Sequence, residues 1–258
     1  MIARWLWGWL LRLLLPLIFV RLWWRGRHEP GYRLAWRERL GLGASSAPGA
    51  VWVHAVSLGE TRAAAALIDA LRARVAGVRI LLTNGTATGR EAGKALLRAG
   101  DHQCWLPYDT PGAARRFLQR HQPALGVLME TEVWPNLIVQ AHRAGVPMVL
   151  ANARLSERSA RKGRRMSALL LPAARALDLV LAQTRDDATR LSAAGARAVE
   201  VSGNLKFDMA PDVALVARGR QWRAALDRPV VMMASSREGE EQPLLQAWFA
   251  LPNPRPLL

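Results

Sequence analysis

Apolar β-type runs alternate with helical stretches along most of this chain, and this alternation limits the fold more than any other feature of the sequence. The predicted strands are residues 51–56, 80–84, 104–106, 126–130, 146–152, 177–183 and 198–204. Near-continuous apolar strands joined by helices are typical of a parallel sheet that is covered on both faces. The sequence therefore predicts an α/β fold with a Rossmann-like parallel sheet.

The first predicted strand ends in a corner that carries an acidic residue. Ser57-Leu58-Gly59-Glu60 follows the strand and leads into an alanine-rich helix. In an open parallel sheet, ligands bind at the carboxyl ends of the strands, so Glu60 would face a crevice. Ser57 and Glu60 also have the spacing of a capping box, in which each side chain satisfies a backbone donor. Both interpretations are open at this point.

Polar residues also follow the other predicted strands, and in a parallel sheet these turns would share one rim and form a polar cleft. The cleft candidates are Ser57, Gly59, Asn84, Thr86, Glu130, Glu132, Asn152 and Arg154. Each has a local alternative. Residues 84–89 fit a turn with a helix cap as well as an anion cradle. Glu130 and Glu132, which strand geometry would send to one side, also suit the first turn of a helix. His54, inside the first strand, is predicted to be a core residue.

The N-terminal residues 1–27 are predicted to form a membrane anchor. Tryptophans lie near both ends of the apolar part, as in the aromatic belts of membrane interfaces. Arg12 and Pro16 interrupt the apolar segment. The sequence is therefore compatible with a spanning helix, an interfacial helix or a buried core helix. The arginine-rich flank that follows predicts a cytoplasmic location for the next domain.

Composition limits the kinds of molecule that this chain is expected to bind. Lys and Arg total 36 against 20 Asp and Glu, a net charge of +16, which favours anionic partners. The basic segment from Arg154 to Arg165 fits a solvated helix face or a surface for acidic headgroups. The single cysteine, Cys104, excludes a disulfide framework and a cysteine-based zinc cluster. No P-loop and no dinucleotide fingerprint occurs, which disfavours an NAD-dependent oxidoreductase, and no nucleic-acid-binding module is recognisable.

The chain after the seventh strand predicts the start of a second domain. Residues 205–227 are interpreted as a linker and a helix, residues 229–236 as a new strand and residues 237–251 as a new helix, before a proline-rich end at residues 252–256. The predicted organisation is an anchor at 1–27, a Rossmann-like domain at 28–210, and a linker with an incomplete second Rossmann-like domain at 211–258.

Seven motifs in order resemble those of the 3-deoxy-D-manno-octulosonic acid (Kdo) transferases. They are SLGE at 57–60, NGTATG at 84–89, LPYD at 106–109, METEVWPN at 129–136, NARLSERS at 152–159, GNLKFD at 203–208 and ASSREGEE at 234–241. The resemblance implies a GT-B fold of two Rossmann-like domains at the cytoplasmic face of the inner membrane. It also implies inverting transfer of Kdo from CMP-Kdo to a lipid A precursor (lipid IV-A), with no metal or other cofactor.

The resemblance also implies roles for individual residues. Glu60 of the SLGE motif corresponds to the general base, and its place at a helix N-terminus is expected to keep it ionised and make it a weaker base. The cleft candidates would hold the acceptor. The donor phosphate is expected to meet Lys206, Ser235, Ser236 and Arg237. The family pattern Ser-Thr-His is replaced here by Ser235-Ser236-Arg237, so a donor-side histidine is missing.

A second hypothesis comes from another class of protein. The same anchor and basic segment fit a non-catalytic, membrane-bound module that binds acidic lipid. Turnover of CMP-Kdo distinguishes the two hypotheses.

Overall fold

The computed structural model describes residues 2–209, 211–252 and 256–257 of the 258-residue chain. The chain forms two compact units, Met1–Met209 and Ala210–Leu258. Within the proline-rich end, residues 253–255 lie outside the described residues.

The first unit is built on a seven-stranded sheet. Its strands are β1 Val51–His54, β2 Ile80–Asn84, β3 His102–Trp105, β4 Leu125–Met129, β5 Met148–Ala153, β6 Leu179–Ala182 and β7 Val199–Val201. Its α-helices are α1 Ile2–Arg25, α2 Leu58–Arg74, α3 Ala87–Gly93, α4 Pro111–His121, α5 Pro135–Arg143, α6 Glu157–Arg165, α7 Ser167–Ala174 and α8 Arg185–Ala193. Short 3-10 helices lie at Pro30–Arg33, Trp36–Leu40, Lys94–Leu96 and Leu205–Asp208.

The strands are parallel and lie in the order β3-β2-β1-β4-β5-β6-β7. The chain runs outward from β1 to β3, crosses back to β4 beside β1, and then runs outward on the other side. This reversal makes the gap between the carboxyl ends of β1 and β4 a topological switch point, where ligands bind in open α/β sheets. The predicted Rossmann-like parallel sheet is confirmed.

Side chains of β1 alternate between two cores, one on each face of the sheet. Trp52 packs with Phe117 and Ile138 on the face covered by α4 and α5. Val53 packs with Ile68 of α2 on the other face. Since both faces are covered, the central strand is apolar almost throughout, and this is why the sequence shows runs of apolar residues rather than strict alternation.

Every predicted strand except β2 differs from the structure by one to three residues at one or both ends, and two of these differences affect residues of interest. β3 begins at His102, two residues before the predicted start. β4 ends at Met129, because Glu130 turns the chain with a φ of +58°. Glu130 and Glu132 therefore lie in the turn after β4, and the strand period does not relate their side chains.

The second unit contains α9 Val213–Ala224 and α10 Glu241–Phe249. The strand predicted at residues 229–236 is wrong, since this segment forms only an isolated bridge between Val230 and Leu257. The described part of this unit offers no neighbouring strand, and an unpaired strand leaves its backbone groups without partners. The predicted helix is present but begins at Glu241, later than the sequence indicated.

Helix α1 contacts the rest of the first unit near both ends of the helix. Near its start, Nε1 of Trp7 donates a hydrogen bond of 3.0 Å to Oδ2 of Asp109. Gly8 packs so closely that an added Cβ would lie 2.9 Å from a side-chain carbon of Pro111. At its end, the guanidinium carbon of Arg25 lies 4.4 Å from the centre of the Tyr32 ring. The helix thus lies along the domain.

The rest of α1 is apolar and exposed. Its 24 residues are long and apolar enough to cross a membrane, by length and composition. Gly8 is the only buried residue of this helix. The interpretation as a buried core helix is therefore wrong. The large exposed apolar side chains are Ile2, Trp5, Leu6, Trp9, Leu10, Leu13, Leu14, Leu17, Val20, Trp23 and Trp24.

Candidate functional site

The corner between β1 and α2 fixes the carboxylate of Glu60. Ser57 is the N-cap of α2: its Oγ accepts from the backbone N–H of Glu60 at 3.3 Å and donates to Oε1 of Glu60 at 3.1 Å. Oε2 of Glu60 accepts from the backbone N–H of Val56 at 2.8 Å. Capping is therefore present. A carboxylate has about four acceptor positions, so these two bonds leave capacity for a ligand.

Burial raises the pKa of Glu60 above its ordinary value, and the charge of Glu130 acts in the same direction. The hydrogen bonds from Val56 and Ser57 and the charge of Lys206 lower it by less. The expectation that the helix N-terminus makes Glu60 a weaker base is therefore wrong, because the loss of water outweighs the local donors. A carboxylate with a raised pKa accepts a proton more readily at neutral pH.

The next corner of the rim pairs Glu130 with Lys206. Oε1 of Glu130 lies 2.9 Å from Nζ of Lys206. Asn152 at the end of β5 holds the segment that carries this lysine, since its Oδ1 accepts from the backbone N–H of Leu205 at 3.1 Å. Lys206 is expected to bind the donor phosphate, and Glu130 and Asn152 are expected to hold the acceptor. These contacts place all three residues in one group.

Glu130 and Asn152 share an uncommon backbone conformation. Their φ angles are +58° and +52°, which for residues other than glycine costs on the order of 1 kcal/mol or more. Asn152 also buries its Nδ2 atom without a hydrogen-bond partner among the described residues. Strained corners and unsatisfied buried donors cluster at functional sites, so both features mark this edge of the sheet.

Glu132 faces His54 at the switch point. Nε2 of His54 lies 4.0 Å from Oε2 of Glu132. Burial, with smaller contributions from the nearby charges of Glu60 and Glu130, raises the pKa of Glu132 to about 7. Three acidic side chains, Glu60, Glu130 and Glu132, therefore act on one another across the β1 and β4 corners. The prediction that Glu130 and Glu132 sit in a helix's first turn fails, because α5 begins only at Pro135.

The corner between β2 and α3 is held to the β1 corner by hydrogen bonds. Nδ2 of Asn84 donates to the carbonyl of Ala55 at 2.9 Å and to Oγ1 of Thr61 at 3.1 Å, and its Oδ1 accepts from Gln103 at 2.9 Å. Thr86 caps α3 by accepting from the backbone N–H of Gly89. These partners occupy the Asn84 amide, so we assign Asn84 and Thr86 to holding the β1 and β2 corners together.

Two glycines allow that close packing. An added Cβ at Gly85 would lie 2.8 Å from a methyl carbon of Val56, and one at Gly89 would lie 2.9 Å from the Val56 carbonyl oxygen. Gly59 differs, because an added Cβ would meet only Ser57 Oγ, at 3.9 Å. The motif at 84–89 is therefore explained by a cap and by close backbone contact, while Gly59 leaves the surface beside Glu60 open.

A cavity of about 300 Å³ is lined in part by Val56 and His54, which contact Glu60 and Glu132. Helix α1 forms one wall, and the β1, β2 and β3 corners form the others. Its lining residues are Ile18, Arg21, Leu22, Arg25, Tyr32, Arg39, His54, Val56, Gly85, Thr86, Leu106, Pro107, Tyr108 and Trp134. Arg39 is buried over the ring of Trp105, and its Nε and Nη2 atoms have no hydrogen-bond partner among the described residues. The cavity combines apolar walls with positive charge.

Four predicted site residues remain, namely Arg154, Ser235, Ser236 and Arg237. Arg154 is exposed just after β5. Ser235, Ser236 and Arg237 belong to the second unit, where Ser236 Oγ donates to Oε1 of Glu241 at 2.6 Å. Ser235 and Ser236 do not begin a helix as the sequence indicated, since α10 starts at Glu241.

Sequence reasoning missed several residues of the site. Arg39, Tyr108 and Trp134 enter it from segments that are distant in the chain. Asp109 belongs to the LPYD motif but has no predicted role, yet its carboxylate accepts from the backbone N–H groups of Asn136 and Leu137 at 3.1 and 2.8 Å and so caps α5. Burial raises the pKa of Asp109 to about 6, and these two hydrogen bonds limit the rise. A cap supplied from another strand leaves no local sequence signal.

Metal-ligand groups are sparse in the part of the chain that the structure describes. One set of His, Cys, Asp or Glu side chains brings its ligand atoms together, and it consists of His102, Cys104 and His121. His102 and Cys104 lie on β3, the outer strand, and His121 ends α4, so the set lies on the β3 side of the sheet. The carboxylates follow β1 and β4, the third and fourth strands from that side.

The fold and the site together define a Rossmann-like domain of the GT-B type. S. aureus MnaA, solved with UDP, has a TM-score of 0.50 over 78% of this chain and 60% of that chain. Sequence identity is 14%, so this likeness concerns the fold alone.

The chain belongs to the 3-deoxy-D-manno-octulosonic-acid transferase (kdotransferase) family, whose N-terminal glycosyltransferase model matches residues 34–209. It is 48% identical to the Bordetella pertussis 3-deoxy-D-manno-octulosonic acid transferase, over 96% of this chain and 61% of that protein. It is 34% identical to the Haemophilus influenzae protein of the same name, over 86% of this chain and 54% of that protein. The chain thus spans less than two thirds of the length of these relatives.

Proposed function

We propose that this chain provides the acceptor side of a Kdo transferase, in which Kdo passes from CMP-Kdo to a lipid A precursor with inversion and without a catalytic metal. Glu60 is the general base that takes the proton from the acceptor hydroxyl. The observation that carries the proposal is the Glu60 carboxylate, held by Val56 and Ser57 at the switch point beside an arginine-lined cavity.

The electrostatics suit a base. The raised pKa of Glu60 strengthens it as a proton acceptor, and its two hydrogen bonds fix its direction. General bases contribute about 10²–10⁴-fold to rate when they are within reach of the proton. Glu132, with a pKa of about 7, is partly neutral near pH 7 and can donate a hydrogen bond to the acceptor.

The cavity suits a phosphorylated amphiphile. Two buried donors of Arg39 have no hydrogen-bond partner among the residues that the structure describes, and a buried guanidinium favours an anion that accepts both. Apolar side chains from α1 and Tyr108 line the same space. The acceptor's phosphate would bind at Arg39, with its sugar hydroxyl toward Glu60. Lys206, Ser235, Ser236 and Arg237 are proposed to bind the donor phosphate.

Helix α1 is proposed to associate with the cytoplasmic face of the inner membrane. Its exposed apolar row with tryptophans near both ends matches an interfacial helix. Because it contacts the domain near both ends, an in-plane position is favoured over a spanning one.

Two readouts test the proposal. The first is release of CMP from CMP-Kdo by this chain with lipid A precursor in micelles; Glu60→Gln is expected to lower it at least 10²-fold while precursor binding persists. The second is precursor binding, which Arg39→Gln is expected to weaken at least tenfold, with the exposed Arg37→Gln as the matched control. Unchanged turnover in Glu60→Gln would contradict the assignment.

A second candidate function rests on α6. This helix has no buried residue and carries Arg158, Arg161, Lys162, Arg164 and Arg165. Such a surface, in a domain that also carries α1, fits a non-catalytic module that binds acidic lipid. Salt-sensitive binding to phosphatidylserine vesicles, lost in a double charge reversal of Arg161 and Lys162, without any CMP release, would favour this candidate over the transferase.

A further inference from the structure

Strand β3 and helix α4 carry a set of metal-ligand side chains that the transferase proposal does not use. His102 and Cys104 lie two residues apart on edge strand β3, so they share a face of the strand. His121 is the last residue of α4, which packs on that face. One ligand atom from each of the three side chains lies within 4.8 Å of the others.

We propose that His102, Cys104 and His121 form a Zn²⁺ site that joins β3 to α4, with water as the fourth ligand. Imidazole and thiolate are the ligands that zinc prefers, in tetrahedral sites with about 2.0–2.3 Å to each ligand atom. Ligand atoms on one zinc are then about 3.5 Å apart. Sγ of Cys104 lies 3.9 Å from Nε2 of His121, so a movement of about 1 Å or less per side chain closes the set.

The surroundings are those of a metal site. Nδ1 of His121 lies 2.9 Å from Oγ of Ser46. When Nδ1 donates that hydrogen bond, the lone pair of Nε2 faces Cys104, which is how an outer partner orients a metal-binding histidine. Nε2 of His102 is buried and has no hydrogen-bond partner within the described part of the chain. A ligand would satisfy this atom, which otherwise carries a desolvation cost.

A single cysteine excludes a zinc cluster built on several thiols but not a mixed set of one thiol and two imidazoles. Tertiary structure adds His121, 17 residues after Cys104, through the packing of α4 on β3. The metal would tie an edge strand to its covering helix. Since none of the three ligands belongs to the group formed by Glu60, Glu130 and Glu132, its role is stability.

The test uses the tag-free full chain, stripped with a chelator and re-equilibrated with Zn²⁺. We expect one Zn²⁺ per chain after gel filtration, a rise in Tm on zinc addition, and thiolate-to-metal charge-transfer absorption with Co²⁺. Cys104→Ser is expected to lose all three. The exposed His142→Gln is the matched control and keeps them.

Because Cys104 is buried, Cys104→Ser could fail to fold. His102→Gln, at the half-buried start of the strand, then serves as the second variant, with circular dichroism to verify folding. Failure of the wild-type chain to retain zinc, equal retention by folded Cys104→Ser or His102→Gln, or binding of Cu(I) without Zn²⁺ would each overturn the zinc assignment.

Discussion

Nε2 of His54 lies 4.0 Å from Oε2 of Glu132, so a buried imidazole faces a partly buried carboxyl group at the switch point of the sheet. Burial lowers the pKa of His54 to about 4 and, with nearby acidic groups, raises that of Glu132 to about 7. Near pH 7 the imidazole is therefore neutral and the carboxyl group is about half protonated. The pair gives this edge of the sheet a pH dependence that can be measured.

Glu132→Gln is expected to stabilise the protein at high pH only. The folded state binds the Glu132 proton more tightly than the unfolded state, so this contribution to stability is complete below about pH 4.5 and is lost as the pH rises through about 7. Glutamine removes that loss. We expect a gain of about 1–3 kcal/mol in unfolding free energy at pH 8 and little change at pH 5, measured by urea unfolding.

The control for this experiment is Glu157→Gln on exposed α6. An equal gain from Glu132→Gln at both pH values would contradict the buried, protonated state.

Ser57→Ala is expected to affect both stability and chemistry. It removes the N-cap of α2, which costs about 1 kcal/mol, and it frees Oε1 of Glu60. Thr184→Ala is the matched control, because Thr184 caps α8 with the same pair of hydrogen bonds to Asp187. Equal shifts in Tm, with CMP release lowered by Ser57→Ala alone, would support a positioning role for Ser57. Equal CMP release would refute it.

Gly59→Ala and Gly89→Ala are expected to differ sharply in their effect on thermal stability. A Cβ at position 59 meets nothing closer than 3.9 Å, so alanine there should leave Tm unchanged or raise it by the helix-propensity gain of up to about 1 kcal/mol. At position 89 the Cβ would lie 2.9 Å from a backbone oxygen, and about 1–3 kcal/mol of overpacking is expected. Thermal unfolding measures both, and a destabilised Gly59→Ala would disprove the open surface beside Glu60.

Both ends of α1 are expected on the same side of a membrane. Trp7 and Arg25 both contact the one domain, so Ile2→Cys and Trp24→Cys should react equally with an impermeant thiol reagent added to the domain side of vesicles. Buried Cys104 provides the background measurement in the parent chain. Protection of position 2 alone would show that the helix spans the bilayer.

Much of the fold follows from local sequence pattern. The apolar runs at residues 80–84 and 126–130 predicted strands that the structure contains almost to the residue. The Ser57 and Glu60 spacing predicted a cap that is present. The strand at 229–236 failed because strand formation depends on a neighbour, and pattern does not supply one.

The site was less accessible to sequence reasoning. The polar turns were predictable, because parallel strands bring their carboxyl ends to one rim. The ion pair of Glu130 with Lys206 and the cap that Asp109 gives to α5 were not, because they join residues far apart in the chain.

By itself the sequence determined the parallel α/β sheet, the apolar N-terminal helix and the acidic corner at Glu60, because periodicity, turn chemistry and capping act over a few residues. Tertiary structure alone decided that burial strengthens Glu60 as a base, that α1 walls a cavity lined by Arg39, and that His121 meets Cys104. Desolvation and long-range contacts depend on which segments pack together, and no local pattern encodes that.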